Sequence, residues 1–343
     1  MPSKSDDLAG ARLLRLTLQA VAIALVVGGS LFLVPRLARS IWPWPLTPFT
    51  TRFLGAVYLA ALVGVVLLLI GPRWSTTRPL LAMAAAFIAP VIIASFLHLD
   101  RFDFQKWSAW AWFMLYIVPL VVFAYYLPFY RRLPSAADTT PTPTSWRYYL
   151  MAQGIVLGLY GLGLFLAPTT FSAFWPWKVD AFHGQMYSAI FISGAVGSFI
   201  LSRAAAPVEF AAVGIPQFAL GILAILGLVI VNLSQRSVNW SLLGTWLWVA
   251  GFAVLALAGF GMARHARATL PMLWERWKHA GRAIGDFQAR VVLTFFYFVI
   301  VLPFGLGVRL LSDPLRLRRP AADSTWIARP PHDTDMEQAR RQS

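Results

Sequence analysis

Nine stretches of this 343-residue chain contain no Lys, Arg, Asp or Glu: 16–35, 53–72, 79–99, 108–130, 148–177, 185–202, 210–235, 237–263 and 291–308. A helix crossing the hydrocarbon core of a bilayer needs roughly 20 mostly apolar residues, because the core is about 30 Å thick and each residue rises about 1.5 Å. Every charged side chain falls between or beyond these runs. Only 13% of residues are charged and 58% are apolar, against roughly 25% charged in soluble domains. Such a chain lacks the polar surface to cover a water-soluble globule. The expected fold is an all-α, polytopic membrane helical bundle with nine transmembrane helices. The first run follows Lys4, Arg12 and Arg15 as a signal peptide would, but its apolar stretch is too long and 35–39 is a poor cleavage site, so it reads as a retained helix.

Two further properties of composition exclude whole classes of chemistry. There is no cysteine, which removes disulfides, thiolate nucleophiles and Cys-ligated metal. The net charge of +15 sits in loops and in the C-terminal part, beside the membrane. Its expected counter-charge is therefore anionic lipid headgroups and not nucleic acid.

A shift of 133 residues lays 28–64 over 161–197 with 12 identities in 37 ungapped positions. The matches include Leu31-Phe32-Leu33 over Leu164-Phe165-Leu166, Pro35 over Pro168, Trp42-Pro43-Trp44 over Trp175-Pro176-Trp177, and Phe49 over Phe182. Apolar helices resemble one another by composition, but two Trp-Pro-Trp loops at one register indicate an internal repeat. Each copy holds four spans, an even number, so both enter from the same side and form parallel repeats about a pseudo-twofold axis along the membrane normal. The expected organisation is a first four-helix repeat at 1–133, a second at 134–266, an interfacial amphipathic helix at 267–290, a ninth transmembrane helix at 291–311, and a polar, disordered tail at 312–343. Basic residues slightly favour a cytoplasmic N-terminus, while the basic tail pulls the other way.

This topology gathers both Trp-Pro-Trp loops and the 98–103 segment on one membrane face. The candidate residues lie there. Trp42, Trp44, Trp175 and Trp177 suit the headgroup region, where the ring is partly buried and the N–H stays wet, or a ligand or lipid vestibule. Lys178, Asp180 and His183 flank the second loop where the first copy has Pro45, Thr47 and Thr50. His98, Asp100, Arg101 and Asp103 form an interfacial polar cluster. Their donor types and spacing could suit a metal, but Arg101 and Lys106 offer simpler partners for the carboxylates, and no metal or other cofactor is expected. Glu209 stands at the boundary of a span, where an acid can still reach water. Gln153, Gln185 and Gln217 are expected to join helices through amide hydrogen bonds, and Gly154-x-x-x-Gly158 to allow close helix approach. Phosphate-loop, dinucleotide, nucleophile-elbow and zinc-protease motifs are missing.

The C-terminal part carries a more specific likeness. Gly285-Asp-Phe-Gln-Ala-Arg290, Phe296-Tyr297-Phe298, Pro303-Phe304, Ser312-Asp-Pro-Leu315, Trp326 and Ala339-Arg-Arg-Gln342 make 272–343 resemble the small membrane proteins named after the J component of saxitoxin gene clusters. The chain ends in Ser343 where that family has Phe. The resemblance implies a one-span accessory element associated with envelope-polysaccharide or carbamoyl-transfer genes. Residues 1–265 resemble a group of bacterial membrane proteins with a Trp-Pro-Trp-Pro-Leu-Thr-Pro loop (42–48) and no assigned activity. The functional expectation is a non-catalytic accessory subunit of the bacterial inner membrane, linked to envelope-polysaccharide or secondary-metabolite machinery and partnered by lipids and other membrane proteins. The alternative is a transporter or flippase for an apolar or lipid-like cargo. A membrane enzyme using His98, Asp100, Asp103 or His183 is the third class.

Overall fold

The computed structural model describes residues 12–71, 78–132 and 138–311. The chain divides into two compact units, Met1–Lys278 and His279–Ser343. Among the described residues nine helical segments are long and apolar enough to cross a bilayer, and the protein is an all-α, multi-pass membrane protein. In the first unit the order is α1 (Arg12–Leu33), α2 (Pro35–Ser40), α3 (Pro48–Ile70), α4 (Arg78–Leu97) and α5 (Trp107–Arg132). It continues as α6 (Thr144–Leu166), α7 (Pro168–Phe171), α8 (Ala181–Arg203), α9 (Pro207–Gln235) and α10 (Leu243–His265). A two-residue antiparallel pair joins β1 (Thr140–Pro141) to β2 (Ala204–Ala205).

Elements recur at a spacing of 133. Both ends of α3 and α8 stand 133 residues apart, as do the C-terminal ends of α1 and α6 and the prolines that open α2 and α7. Proline lacks an N–H and pushes the preceding residue away from helical backbone. Accordingly Val34 (φ −127°, ψ 62°) and Ala167 (φ −135°, ψ 62°) break the two long helices at the same point.

Helix α1 packs on α3 and α6 on α8, but the second helix of each half then turns to the other half. The principal further contacts are α3 with α9 and α4 with α8, while α3 barely touches α4 and α8 barely touches α9. Gly64 on α3 faces Pro216 on α9, and Gly197 on α8 faces Met83 on α4, again at positions 133 apart.

The halves differ at their last helix. A Cβ on Gly214 would lie 2.8 Å from the Gly259 carbonyl oxygen, one on Gly221 2.5 Å from that of Phe252, and one on Gly259 2.5 Å from the Phe218 nitrogen. Helices α9 and α10 therefore meet backbone to backbone, as small residues allow in membranes. The corresponding positions in the first half are Leu81, Ile88 and Tyr126. There α4 and α5 pack far less extensively than α9 and α10.

After α10 the chain forms α11 (Leu270–Phe296), a π-turn at Tyr297–Val301 and α12 (Leu302–Leu311). Arg276 donates to the carbonyl oxygens of Ile70 and Gly71 at 3.2 and 3.3 Å, binding the otherwise unpaired end of α3. The expected division into an interfacial helix ending at 290 and a separate span from 291 is not seen: α11 is unbroken across it. No proline lies between 272 and 302, so nothing stops the helix there. The π-turn precedes Pro303, whose missing N–H disturbs the regular ladder. The expected tail, 312–343, lies outside the described residues.

The α9–α10 contact makes a direct prediction. Gly221→Val must push backbone atoms apart and is expected to cost about 1–3 kcal/mol, whereas Gly251→Ala, with nothing within 4 Å of the new carbon, should be neutral or slightly stabilising. Thermal unfolding in detergent, followed by tryptophan fluorescence, checks both.

Candidate functional site

The two Trp-Pro-Trp loops lead into α3 and α8, and equivalent residues cap those helices. Thr47 Oγ1 accepts from the Thr50 amide at 3.3 Å, and Asp180 Oδ1 accepts from the His183 amide at 2.8 Å. Side chains repeat the pattern, with Thr47 Oγ1 donating to Thr50 Oγ1 at 2.9 Å and His183 Nδ1 lying 2.7 Å from Asp180 Oδ1. The unlike residues of the second loop thus serve the same capping geometry with a carboxylate in place of a hydroxyl.

His183 also joins the halves. Trp44 Nε1 lies 3.1 Å from His183 Nε2. An indole N–H can only donate, so Nε2 accepts, and the ring is the tautomer whose Nδ1–H donates to Asp180. Burial alone would raise the Asp180 carboxyl; the hydrogen bonds from the His183 ring and amide, with Arg101 nearby, outweigh it and hold it at about 2. Lys178 is exposed at the rim.

The tryptophan N–H groups are enclosed by protein: those of Trp42 and Trp177 are buried, and those of Trp44 and Trp175 meet His183 and Tyr160. Trp42, Trp44 and Trp175 are buried, Trp177 is half-buried, and together they weld the halves into one aromatic roof. Trp44 meets Phe182 edge-on at 5.1 Å, while its counterpart Trp177 stacks on Phe49 at 5.4 Å. Trp175 stacks on Tyr187 at 5.3 Å and meets Phe53 at 5.1 Å, and Trp42 packs on Tyr58 and Trp112. All these separations fall in the favourable range for ring pairs. The physical reason for the difference is the second loop of contacts: the Asp103 amide donates to the Pro43 carbonyl at 2.9 Å and Lys106 Nζ to the Trp42 carbonyl at 3.4 Å, folding the 98–106 segment over the first loop.

That segment does not gather its own donors. His98 Nε2 lies 2.7 Å from Gln185 Oε1, whose amide nitrogen donates to the Phe165 carbonyl. Asp100 pairs with Arg101 at 3.6 Å and Asp103 with Lys106 at 3.7 Å, all exposed and weakly stabilising. Among the described residues no group of three or more His, Asp or Glu could hold a metal ion. Glu209 is buried and accepts from the Ala206 amide at 2.8 Å, closing the start of α9.

Beneath the roof lies what the motifs did not indicate. A chamber of about 210 Å³ is bounded by residues of α1, α3, α4, α5, α6, α8, α9 and α10. Its polar lining is limited to Tyr116, Ser193 and Gln217. Ser193 donates to the Met83 carbonyl, and Gln217 donates to the Leu255 carbonyl and exchanges amide hydrogen bonds with Gln153. A smaller void of about 20 Å³ shares Val57, Phe87, Tyr116 and Ile190 with the chamber and reaches Trp44 and His183. The column therefore runs from an apolar interior, through a waist at Tyr116, to the roof.

At a spacing of 133 residues the chamber's polar and apolar lining differs. Gln153 bonds both Ser198 and Gln217 in the second half; the corresponding residues of the first half are Ala20, Val65 and Ala84, and the last two line the chamber. Comparing the halves position by position could have indicated this. The tyrosines at 58, 116 and 187, in contrast, carry no motif. No protein-family model, curated protein or solved structure matches this chain.

The Asp180 cap is testable through pH. Because the folded carboxyl titrates at about 2 and the ordinary value is 3.8, its contribution is complete above pH 3.8, declines as pH falls, and is lost below about 2. Unfolding of detergent-solubilised protein should show this acid-side loss, and Asp180→Ala should remove it while costing about 1 kcal/mol at neutral pH.

Proposed function

We propose that this chain binds, and carries within a bacterial cytoplasmic membrane, an apolar or lipid-like molecule held in the chamber between its two halves, which descend from a duplicated four-helix unit. The chamber is the observation that supports the reading. Its volume is of the same order as the roughly 150 Å³ of an apolar cavity that accepts a small hydrocarbon, and on the duplicated plan it would lie between parallel halves, where transporters of that plan place their substrate. Its wall offers no charge to an ion or polar metabolite, and charged cargo in a bilayer interior requires such partners. Arg and Lys on the loops suit anionic headgroups at the surface.

Ala84→Phe fills the chamber from α4 without altering the roof. Lipid extracts of purified wild-type protein should contain an apolar species, detected by mass spectrometry, that the variant has lost. Identical extracts would remove the reading.

The accessory-subunit reading has its own support. From 279 to 311 nearly every side chain is exposed, including Phe287, Val291, Phe295 and Phe298, and apolar surface of this extent meets lipid or another protein. Together with the resemblance of 272–343, this favours a docking role for the C-terminal unit. Purification of the full chain in mild detergent should then bring a second membrane protein with it; a solitary, monodisperse chain would refute the docking role and leave the chamber reading intact.

A further inference from the structure

Three arginines beside the first Trp-Pro-Trp loop lack a counter-charge. Arg36 and Arg39 lie on α2, which packs on α3, and Arg52 stands in the second turn of α3. None of them pairs with a carboxylate among the described residues. Asp100, Asp103 and Asp180, the acids of this face, are taken by Arg101, Lys106 and His183.

Arg52 is half-buried. A Cβ added to Gly227 of α9 would lie 3.2 Å from its Cβ and 3.3 Å from the Phe32 ring of α1, so its stem leaves the helix at the junction of α1, α3 and α9. The guanidinium lies over Phe32, 5.6 Å from the ring centre. It has five N–H donors, and none of them meets an acceptor among the described residues.

The positions 133 residues on show the same junction completed. Thr169, Ser172 and Gln185 stand there in place of the three arginines. Gln185 donates to the Phe165 carbonyl and bonds His98. Phe165 corresponds to Phe32, but His98 corresponds to Val231, whose side chain has nothing to offer a guanidinium. The first half thus has a charge where the second has an amide, and an apolar residue where the second has its polar partner. A cation at the membrane boundary without a partner is costly, and a contact with an aromatic face offsets only part of that cost.

Exposed apolar residues adjoin these cations: Leu33 at the end of α1, Leu37 between the two arginines of α2, and Leu233 near the end of α9. Independently of the chamber, we infer that the junction of α1, α3 and α9 binds one anionic phospholipid. Its phosphate meets Arg52, Arg36 and Arg39 add charge from α2, and its acyl chains run along the exposed leucines. A guanidinium matches phosphate oxygens in geometry as well as charge, and basic pockets between spans suit anionic headgroups. A zwitterionic lipid would bring its own ammonium to a place already in positive excess.

The experiment uses full-length protein in detergent, with bound lipid counted by native mass spectrometry. The probes are phosphatidylglycerol, phosphatidylcholine with the same acyl chains, and glycerol phosphate. Wild type should hold phosphatidylglycerol in preference to phosphatidylcholine. Arg52→Gln, which installs the residue found at 185, should weaken phosphatidylglycerol by about fivefold and leave phosphatidylcholine unchanged. Arg36→Gln, at an exposed position, should act in the same direction and decides the matter if Arg52→Gln does not fold. Lys178→Gln, another exposed cation of this face, and Ala84→Phe in the chamber should alter neither lipid. If wild type holds both lipids equally, if the two arginine variants change nothing, or if Lys178→Gln costs as much as Arg52→Gln, the attraction is diffuse and the site is overturned. Displacement of phosphatidylglycerol by an equal concentration of glycerol phosphate would overturn the lipid assignment in favour of a free phosphate.

Discussion

The structure depends on an exchange of helix contacts between its halves. In a bilayer every backbone group must be satisfied within its own helix, and helices then associate through close van der Waals packing because lipid offers no hydrophobic penalty to drive them together. Here the second helix of each half finds its close surface on the third helix of the other, α3 on α9 and α4 on α8. Gly64 beside Pro216 and Gly197 beside Met83 mark the two seams. The aromatic roof follows from the same exchange, since Trp44 rests on Phe182 and Trp177 on Phe49: each loop is finished by a ring from the opposite half.

The chamber lies where the packing of α4 with α5 and of α9 with α10 is unlike. Glycines at 214, 221 and 259 let α9 and α10 close, and the Gln153, Ser198 and Gln217 cluster ties the interior of the second half together. The first half has larger side chains where glycine permits contact and smaller, apolar ones where the amides would sit. Helices α4 and α5 pack less closely, and the chamber meets Val65 and Ala84 where the second half has its polar side chains.

The spans were legible because lipid excludes charge. The equivalence of Thr47 with Asp180 and of Thr50 with His183 was visible as a difference between loops, but its capping role was not, since hydroxyl and carboxylate caps look unlike in sequence while accepting the same amide. Gln153, Gln185 and Gln217 read correctly as interhelical amide partners, because an amide inside a span has few other uses. The site itself was less legible. Tyr58, Tyr116 and Tyr187 lie in three different spans among ordinary aromatic residues, and only packing brings them together. A void leaves no motif, because it is made by what neighbouring residues fail to fill. The separate interfacial helix was a reading of composition, and composition alone cannot interrupt a helix with no proline between 272 and 302.

The pairing of α3 with α9 also constrains how the protein is made. Helix α3 leaves the ribosome long before its partner, and at about 5–20 residues per second the delay amounts to seconds or tens of seconds. Throughout that interval the Gly64 surface of α3 faces lipid or a temporary neighbour, so biogenesis must keep a finished helix waiting, laterally mobile and unclaimed, until the later segment arrives beside it.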